Sequence, residues 1–384
     1  MRRPRPATAK RPARPDRDEG GGDARSVPPP PPFAAPVSGS ASPRWFPHGY
    51  DAASDSVLLV EKSEADYRAA SFLDDRSLAP GTPRHVVPWS QVEGAVPREA
   101  RRDLHYIFHI GHVGSTLISR LLGELPEVLA LREPVILRDF ADRLAERGAT
   151  EALWPADTVA ARLDALTALL SRTFRAEQRA IAKATSFVSE HAAELVPAGS
   201  KALLLHASPE RYAANILAGP NSRQEIAATA EARLERLHRR VGERRWDVAG
   251  MSEGERIGMV WASEMGSLVQ AAERLGPDAA LRLDFDAFLA APAAGLAGLA
   301  GFFGLDAAAA ASLASHPLMG RYSKAPEYEY GPELREALLA QAGREHGAEL
   351  AEALRWIEAA ARDCPHVARA LDTASTRGGS AATD

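Results

Sequence analysis

Short apolar runs alternate with longer amphipathic segments from residue 104 onward. The runs that predict strands are 104–110, 128–131, 180–182, 202–205 and 280–285. Helical spacing of apolar residues follows the first run in 115–125. It recurs in 255–275, which ends at Gly276-Pro277. A further helix start is indicated by Ser208-Pro209-Glu210, with a capping serine, a proline in the first position and an acid in the first turn. This order predicts an α/β fold, a parallel sheet with helices on both faces.

The flanking segments differ in composition from this region. Residues 1–44 contain eleven prolines and nearly no aliphatic residues, so they cannot bury enough surface to offset their ordering entropy. We therefore predict a disordered tail over 1–44, a small leading subdomain over 45–103, the α/β domain over 104–372 and a second disordered tail over 373–384.

Charge and composition exclude several classes of function. The net charge is −5, and because residues 1–44 carry a net charge of +5, the remainder is acidic, which argues against nucleic-acid binding. No apolar run reaches membrane-spanning length, since 289–305 is interrupted by Pro292, so no membrane association is expected. The single cysteine, Cys364, excludes an internal disulfide and fits a reducing compartment, so we expect a cytoplasmic protein. The oligomeric state stays open.

A glycine loop follows the first strand of the α/β region. Its anion-binding candidates are Gly111, His112, Val113, Gly114, Ser115 and Thr116. A loop of this kind presents free backbone N–H groups and the positive end of a helix to an anion, and glycine lets the backbone approach closely. The lysine of a Walker A loop is missing. A tight strand–helix turn with a capping serine explains the same segment without a ligand.

The loop and three later segments together resemble the sulfotransferase family. Residues 111–134, GHVGSTLISRLLGELPEVLALREP, resemble the opening P-[RK]-S-G-T-T-L loop, helix and strand. Residues 183–185 resemble its K-T-P segment, and 207–210 its R-D-P-R turn. Residues 281–305 resemble the late L-R-V-x-Y-E-D-L and F-L-G-L block, in which Asp286 is expected to cap a helix.

The resemblance implies a P-loop-like fold that binds 3′-phosphoadenosine 5′-phosphosulfate and transfers its sulfuryl group, without a metal, to a hydroxyl or amine. The acceptor would be a small molecule, peptide or glycan. The loop would hold the phosphosulfate, Glu133 would be the acceptor base, and Lys183 would place charge on the transferring group. His112 stands where the family has Lys or Arg, and it would be a third catalytic residue that donates to the phosphate. The 3′-phosphate candidates are Ser208, Arg211, Asn215 and Lys324, with Arg223 as a further candidate, while Ala207 replaces the family's arginine.

Ordinary structural roles compete with these assignments. Glu133 is also explained as a surface acid paired with Arg132 or Arg138, and Lys183 as a solvated lysine at a strand end. His109 is expected to be a hydrogen-bonded core histidine. The cationic run 233–245 is expected to be a solvated helix face. For the whole chain, the alternatives are a P-loop kinase-type phosphotransferase and a non-catalytic nucleotide- or partner-binding module.

Overall fold

A computed structural model describes residues 43–147, 152–155, 157–322 and 327–375. The predicted tail 1–44 lies outside this range except for its last two residues. Pro43 packs on the domain, where its carbonyl accepts a hydrogen bond from Tyr67 Oη at 2.7 Å. The predicted tail 373–384 begins too early, because helix continues to Ser375, where Ala374 is buried. Residues 376–384 lie outside the described part.

The eight strands are β1 Trp45–Asp51, β2 Ser56–Glu61, β3 Arg84–Pro88, β4 His105–His109, β5 Val128–Arg132, β6 Arg179–Lys183, β7 Ala202–His206 and β8 Ala280–Asp284, counted over the described residues. The helices within the same ranges are α1 Glu64–Ala69, α2 Trp89–Ala95, α3 Ser115–Leu122, α4 Val135–Ala145, α5 Val159–Leu170, α6 Ala192–Leu195, α7 Pro209–Leu217, α8 Pro220–Val241, α9 Glu253–Leu275, α10 Phe285–Ala290, α11 Pro292–Phe303, α12 Ala307–Ser312, α13 Pro332–Glu345, α14 Gly347–Asp363 and α15 Pro365–Ser375.

The main sheet is parallel and has the strand order β5-β6-β4-β7-β8. Strands and helices alternate along the chain, and α3 and α9 pack on the sheet, which confirms the predicted α/β class. The chain leaves β4 toward β5 on one side, whereas it leaves β7 toward β8 on the other. Ligands of open α/β sheets bind in the crevice at such a switch point, outside the carboxyl ends of the strands.

The leading region 45–103 has a sheet of its own but shares the core of the main domain. Its strands form an antiparallel sheet in the order β1-β2-β3. Phe46, Leu59 and Trp89 are buried in the same apolar cluster as the main sheet. The backbone N–H of Leu73 donates to the carbonyl of Arg132 at 2.6 Å. This region therefore packs as part of the α/β unit, against the end of β5.

Helix caps account for the element boundaries around the sheet. Ser252 and Glu255 form a capping box that starts α9 two residues before the predicted position. Ser208 caps α7, as predicted, by accepting from Arg211 N at 3.3 Å. The expectation that Asp286 is a capping acid is wrong, because Asp284 caps α10 through Ala287 N at 2.9 Å.

Candidate functional site

The glycine loop lies between β4 and α3 with three residues in the left-handed region. Their φ values are 84° at Gly111, 53° at His112 and 68° at Gly114. Successive turns of this kind direct backbone N–H groups into a concave cradle. No described side chain caps the first turn of α3, so its N–H groups are left for another partner. An arrangement of this kind could bind an anion.

His109 fixes the start of this loop. Its Nδ1 accepts from Gly111 N at 2.9 Å, and its Nε2 donates to the carbonyl of Ala184 at 2.9 Å. Both ring nitrogens are therefore engaged in the neutral tautomer. His109 is buried, and it joins the loop to the end of β6, so its role is structural.

Asn215 on α7 and two residues of α8, Ser222 and Glu225, contact His112 in the loop. Asn215 Nδ2 donates to the carbonyl of His112 at 2.6 Å. The His112 ring lies 3.2 Å from Ser222 Oγ through Nδ1 and 3.2 Å from Glu225 through Nε2. A non-glycine residue at φ 53° is strained, and such strain is kept where the surroundings over-determine it.

Gly114 is required by packing as well as by anion approach. A Cβ at this position would lie 1.9 Å from a ring atom of Phe285. The ring of Phe285, which follows β8 directly, therefore packs against the loop at Gly114. At Gly111 an added Cβ would meet only Ser186, at 3.5 Å.

Glu133 and Lys183 form an ion pair at the carboxyl ends of β5 and β6. Lys183 Nζ donates to Glu133 Oε1, and the backbone N–H of Glu133 donates to the Lys183 carbonyl at 2.7 Å. The Lys183 side chain is 1% exposed and that of Glu133 is 19% exposed. Glu133 has φ 51°, the second strained non-glycine residue at this edge. Its Oε2 makes no hydrogen bond to any described residue.

The ion pair contradicts the ordinary structural roles considered above, in which Glu133 pairs with a neighbouring arginine and Lys183 is solvated. Lys183 is buried, so it is not a solvated strand-end lysine. Arg132 does not pair with Glu133, because its guanidinium donates to the carbonyls of Tyr67, Arg68 and Ala70. Burial lowers the pKa of Arg132 to about 10.

A cavity of 260 Å³ opens beside the loop and the ion pair. Its inner end is formed by the loop residues Gly114, Ser115 and Thr116. Its outer end contains Arg335 on α13 and Arg321, together with the rings of Tyr322 and Tyr330, whose centres are 5.5 Å apart. The backbone N–H of Tyr322 donates to the carbonyl of Tyr328 at 2.9 Å.

A second cavity, of 360 Å³, lies on the other side of the loop. His109, His112 and Glu133 line both cavities. The second cavity is otherwise bounded by the segment around Phe72 and by residues of α4, α8 and the turn after β6, namely Asp74, Arg76, Val135, Arg138, Thr185, Ser186, Phe187, Glu225, Thr229 and Arg233. Glu133 thus lies where the two spaces meet.

Of the remaining residues predicted to bind phosphate, one lines a cavity and the others do not or lie outside the described residues. Asn215 lines the first cavity, whereas Ser208 and Arg211 are absent from the described lining of both cavities. Arg211 is bound to Glu336 and Asp286, and its hydrogen bonds, first to Glu336, raise its pKa. Arg223 pairs with Glu253. Val113 is buried, and Lys324 lies outside the described residues.

The predicted solvated face over 233–245 is wrong for Arg233, Arg236 and Arg240, whose side chains are buried, whereas Arg239, Arg244 and Arg245 are exposed. Arg233 and Arg236 are each 3% exposed. Arg233 Nε donates to Glu264, a fully buried acid on α9, at 2.7 Å. Arg240 pairs with Glu190. These charges hold α8 against α9 behind the second cavity.

Sequence reasoning missed Arg335, Tyr330 and Phe285 as cavity residues. Arg335 NH1 donates to Asp286 Oδ1 at 2.6 Å, and its guanidinium lies 5.3 Å from the ring centre of Phe285. The side chain is 7% exposed. The available signal was an arginine in the first turn of a helix, where a cation opposes the dipole and so needs an anionic partner.

Comparison with solved structures finds sulfotransferases at low similarity. A sulfotransferase domain from the curacin biosynthetic pathway is 14% identical (TM-score 0.32) and covers 64% of this chain and 96% of that one. The domain from the Synechococcus PCC 7002 olefin synthase is 12% identical (TM-score 0.33; 66% and 97%). The Alicyclobacillus acidocaldarius sulfotransferase is 14% identical (TM-score 0.36; 71% and 96%). No family model and no curated protein matches the chain.

The described residues carry neither a membrane-spanning helix nor a metal-binding cluster. None of their helices combines the length and apolar character needed to cross a membrane. No group of three or more His, Cys, Asp and Glu side chains among them is arranged to hold a metal ion.

Proposed function

We propose that the protein is a sulfotransferase that uses 3′-phosphoadenosine 5′-phosphosulfate as donor. The observation that carries the proposal is the convergence of an uncapped helix N-terminus, a left-handed glycine loop and the Glu133–Lys183 pair at one edge of the sheet. An anion-binding cradle, a cation and a carboxylate are what sulfuryl transfer requires of a protein.

The first cavity contains residues that would bind each part of the donor: the phosphosulfate, the second phosphate and the base. The loop and the start of α3 would hold the 5′-phosphosulfate. Arg335 and Arg321 line the cavity and would bind a second phosphate. Arg335 pairs with Asp286 and Glu336 through NH1, so its other N–H groups would donate to the phosphate. The turn around Ala207 contributes no cation to the described lining of this cavity. Tyr322 and Tyr330 offer ring faces for a planar base.

An acceptor bound in the second cavity would lie next to Glu133. In the transfer step the acceptor oxygen forms a bond to sulfur as the bond from sulfur to the 5′-phosphate oxygen breaks. The acceptor proton passes to the Glu133 carboxylate, and adenosine 3′,5′-bisphosphate departs. Lys183 balances charge on the transferring group and holds the carboxylate in place through Oε1.

Thermal unfolding with added nucleotide tests the donor assignment. Adenosine 3′,5′-bisphosphate at 100 times its Kd stabilises the folded state by about 2.7 kcal/mol, whereas ATP with Mg²⁺ is expected to give no shift in Tm. A shift with ATP and Mg²⁺ alone would favour the kinase-type alternative. Absence of any shift would favour a module that binds no nucleotide.

Two arginine variants provide a matched control. Arg335 and Arg211 both bind Asp286, but only Arg335 is among the cavity-lining residues. Arg335→Met is expected to abolish the nucleotide-induced shift, while Arg211→Met keeps it. The reverse pattern would return the 3′-phosphate site to the start of α7.

A further inference from the structure

The second cavity is lined mainly by polar side chains, which limits the class of acceptor that it can bind. This inference rests on the proposed function, because it names the acceptor class for the same site. Among its described lining residues the apolar side chains are Phe72, Val135 and Phe187, and nearly all the others carry hydrogen-bonding groups. An apolar acceptor would strip water from these groups without replacing the lost hydrogen bonds, which is unfavourable.

The charges of the lining are largely compensated within the protein. Arg76 Nε contacts both carboxylate oxygens of Asp74, at 3.0 and 2.9 Å. Glu225 Oε2 lies within hydrogen-bonding distance of His112 Nε2, at 3.2 Å. Arg233, at the back of the cavity, is paired with Glu264. An acceptor that carries a full charge of either sign therefore finds its natural partners already bound.

Arg138 is the remaining cation, and it lies exposed in the lining. An exposed guanidinium is screened by water and salt, so it contributes little to the selection of an anion. The buried part of the lining decides the chemistry, and that part is neutral overall.

Hydroxyl and aromatic groups complete the surface. Thr185, Ser186 and Thr229 contribute hydroxyls, and Thr185 Oγ1 is buried without a partner among the described residues. Phe72 and Phe187 are held in place by guanidinium groups at 4.0 and 3.9 Å from their ring centres. A guanidinium thus covers one face of each ring, so the hydroxyl groups of the lining, rather than the rings, are the groups that would bind an acceptor.

We infer that the acceptor is a neutral polyhydroxylated compound, a sugar or cyclitol, whose hydroxyl is presented to Glu133 from the second cavity. A site built around hydroxyl groups discriminates strongly against analogues that lack them. We expect kcat/KM for neutral sugars or cyclitols to exceed that for a phenol or a sugar acid by roughly 10²-fold or more.

The experiment measures transfer of radiolabelled sulfate to an acceptor panel. The panel contains neutral monosaccharides, disaccharides and cyclitols, a phenol (2-naphthol) and a sugar acid (glucuronic acid). Preference for a neutral polyol supports the inference. Preference for the phenol or the sugar acid overturns it, and so does the absence of polyol turnover by a protein that binds adenosine 3′,5′-bisphosphate. Failure to bind that nucleotide would instead refute the proposed function.

A pair of leucine variants locates the acceptor. Thr229→Leu adds bulk to the second cavity, whereas Ala228→Leu adds bulk to an exposed neighbour on α8 outside the lining. Thr229→Leu is expected to raise KM for the preferred polyol at least tenfold while the Kd for adenosine 3′,5′-bisphosphate changes less than twofold. Ala228→Leu changes neither. Unchanged KM in folded Thr229→Leu protein would place the acceptor elsewhere.

Discussion

Replacing Glu133 by glutamine tests both the chemistry and the ion pair behind it. Glutamine keeps the size of the side chain but takes no proton, so turnover of an acceptor is expected to fall by roughly 10²–10⁴. The same change leaves the Lys183 ammonium, 1% exposed, without its carboxylate. Breaking a buried pair by removal of one partner costs about 3–5 kcal/mol. Because Glu133 is 19% exposed, we expect the lower end, about 3 kcal/mol.

The size of the described domain converts this cost into a melting temperature. An unfolding entropy of about 2.1 cal/mol/K per residue over some 330 residues gives about 0.7 kcal/mol/K. A loss of 3 kcal/mol therefore lowers Tm by about 4 °C. Kinetic assays well below that temperature compare folded proteins, so the loss of turnover is not a loss of fold.

The double variant separates the two effects. Lys183→Met combined with Glu133→Gln removes both charges, so most of the stability should return, to within about 1 kcal/mol of the parent. Turnover should stay low, because the base is still absent. Calorimetry and single-turnover kinetics on the parent, Glu133→Gln, Lys183→Met and the double variant complete the cycle. Parental turnover by Glu133→Gln, or a double variant no more stable than Glu133→Gln alone, would refute the reasoning.

Three further predictions concern the loop and the sheet. Gly114→Ala should lower Tm by several degrees more than Gly111→Ala, since only the first clashes with Phe285, and equal losses in calorimetry would contradict this packing role. Gly111→Ala should cost about 1–2 kcal/mol in chemical denaturation, the price of a left-handed alanine. Burial lowers the pKa of His105 to about 4. The unfolded chain therefore takes up the proton first, and stability should fall by about 3 kcal/mol as pH drops from 6.5 to 4, a slope that His105→Asn should remove.

The sequence predicted the sheet and the loop because both depend on local patterns. Each strand of the main sheet is an apolar run ended by glycine or a polar residue, and the loop residues Gly111 and Gly114 are adjacent in the chain to the strand and helix they join. The same is true of the Ser208 cap on α7. Strands, loops and helix caps that depend on about six neighbouring residues can be predicted from one sequence.

The ion pairs were not predictable for the opposite reason. Arg233 finds Glu264 31 positions away, and Lys183 finds Glu133 50 positions away. A cationic helix face that is buried and one that is solvated have the same sequence pattern. Only the position of the partner helix distinguishes them. Arg335 likewise becomes a cavity residue only because α13 returns to Phe285. Pairings across the fold need the tertiary structure.

The strand order has a consequence for how the chain folds as it is made. β4, the central strand, pairs with β6 and β7, whose residues follow about 75 to 95 positions later. At about 5–20 residues per second, a ribosome needs about 4 to 20 s to supply those partners. During that interval an apolar strand with two unpaired edges waits for its neighbours, which is the condition in which nascent chains aggregate. We expect synthesis in cells to depend on holding chaperones more strongly than refolding of the complete chain does.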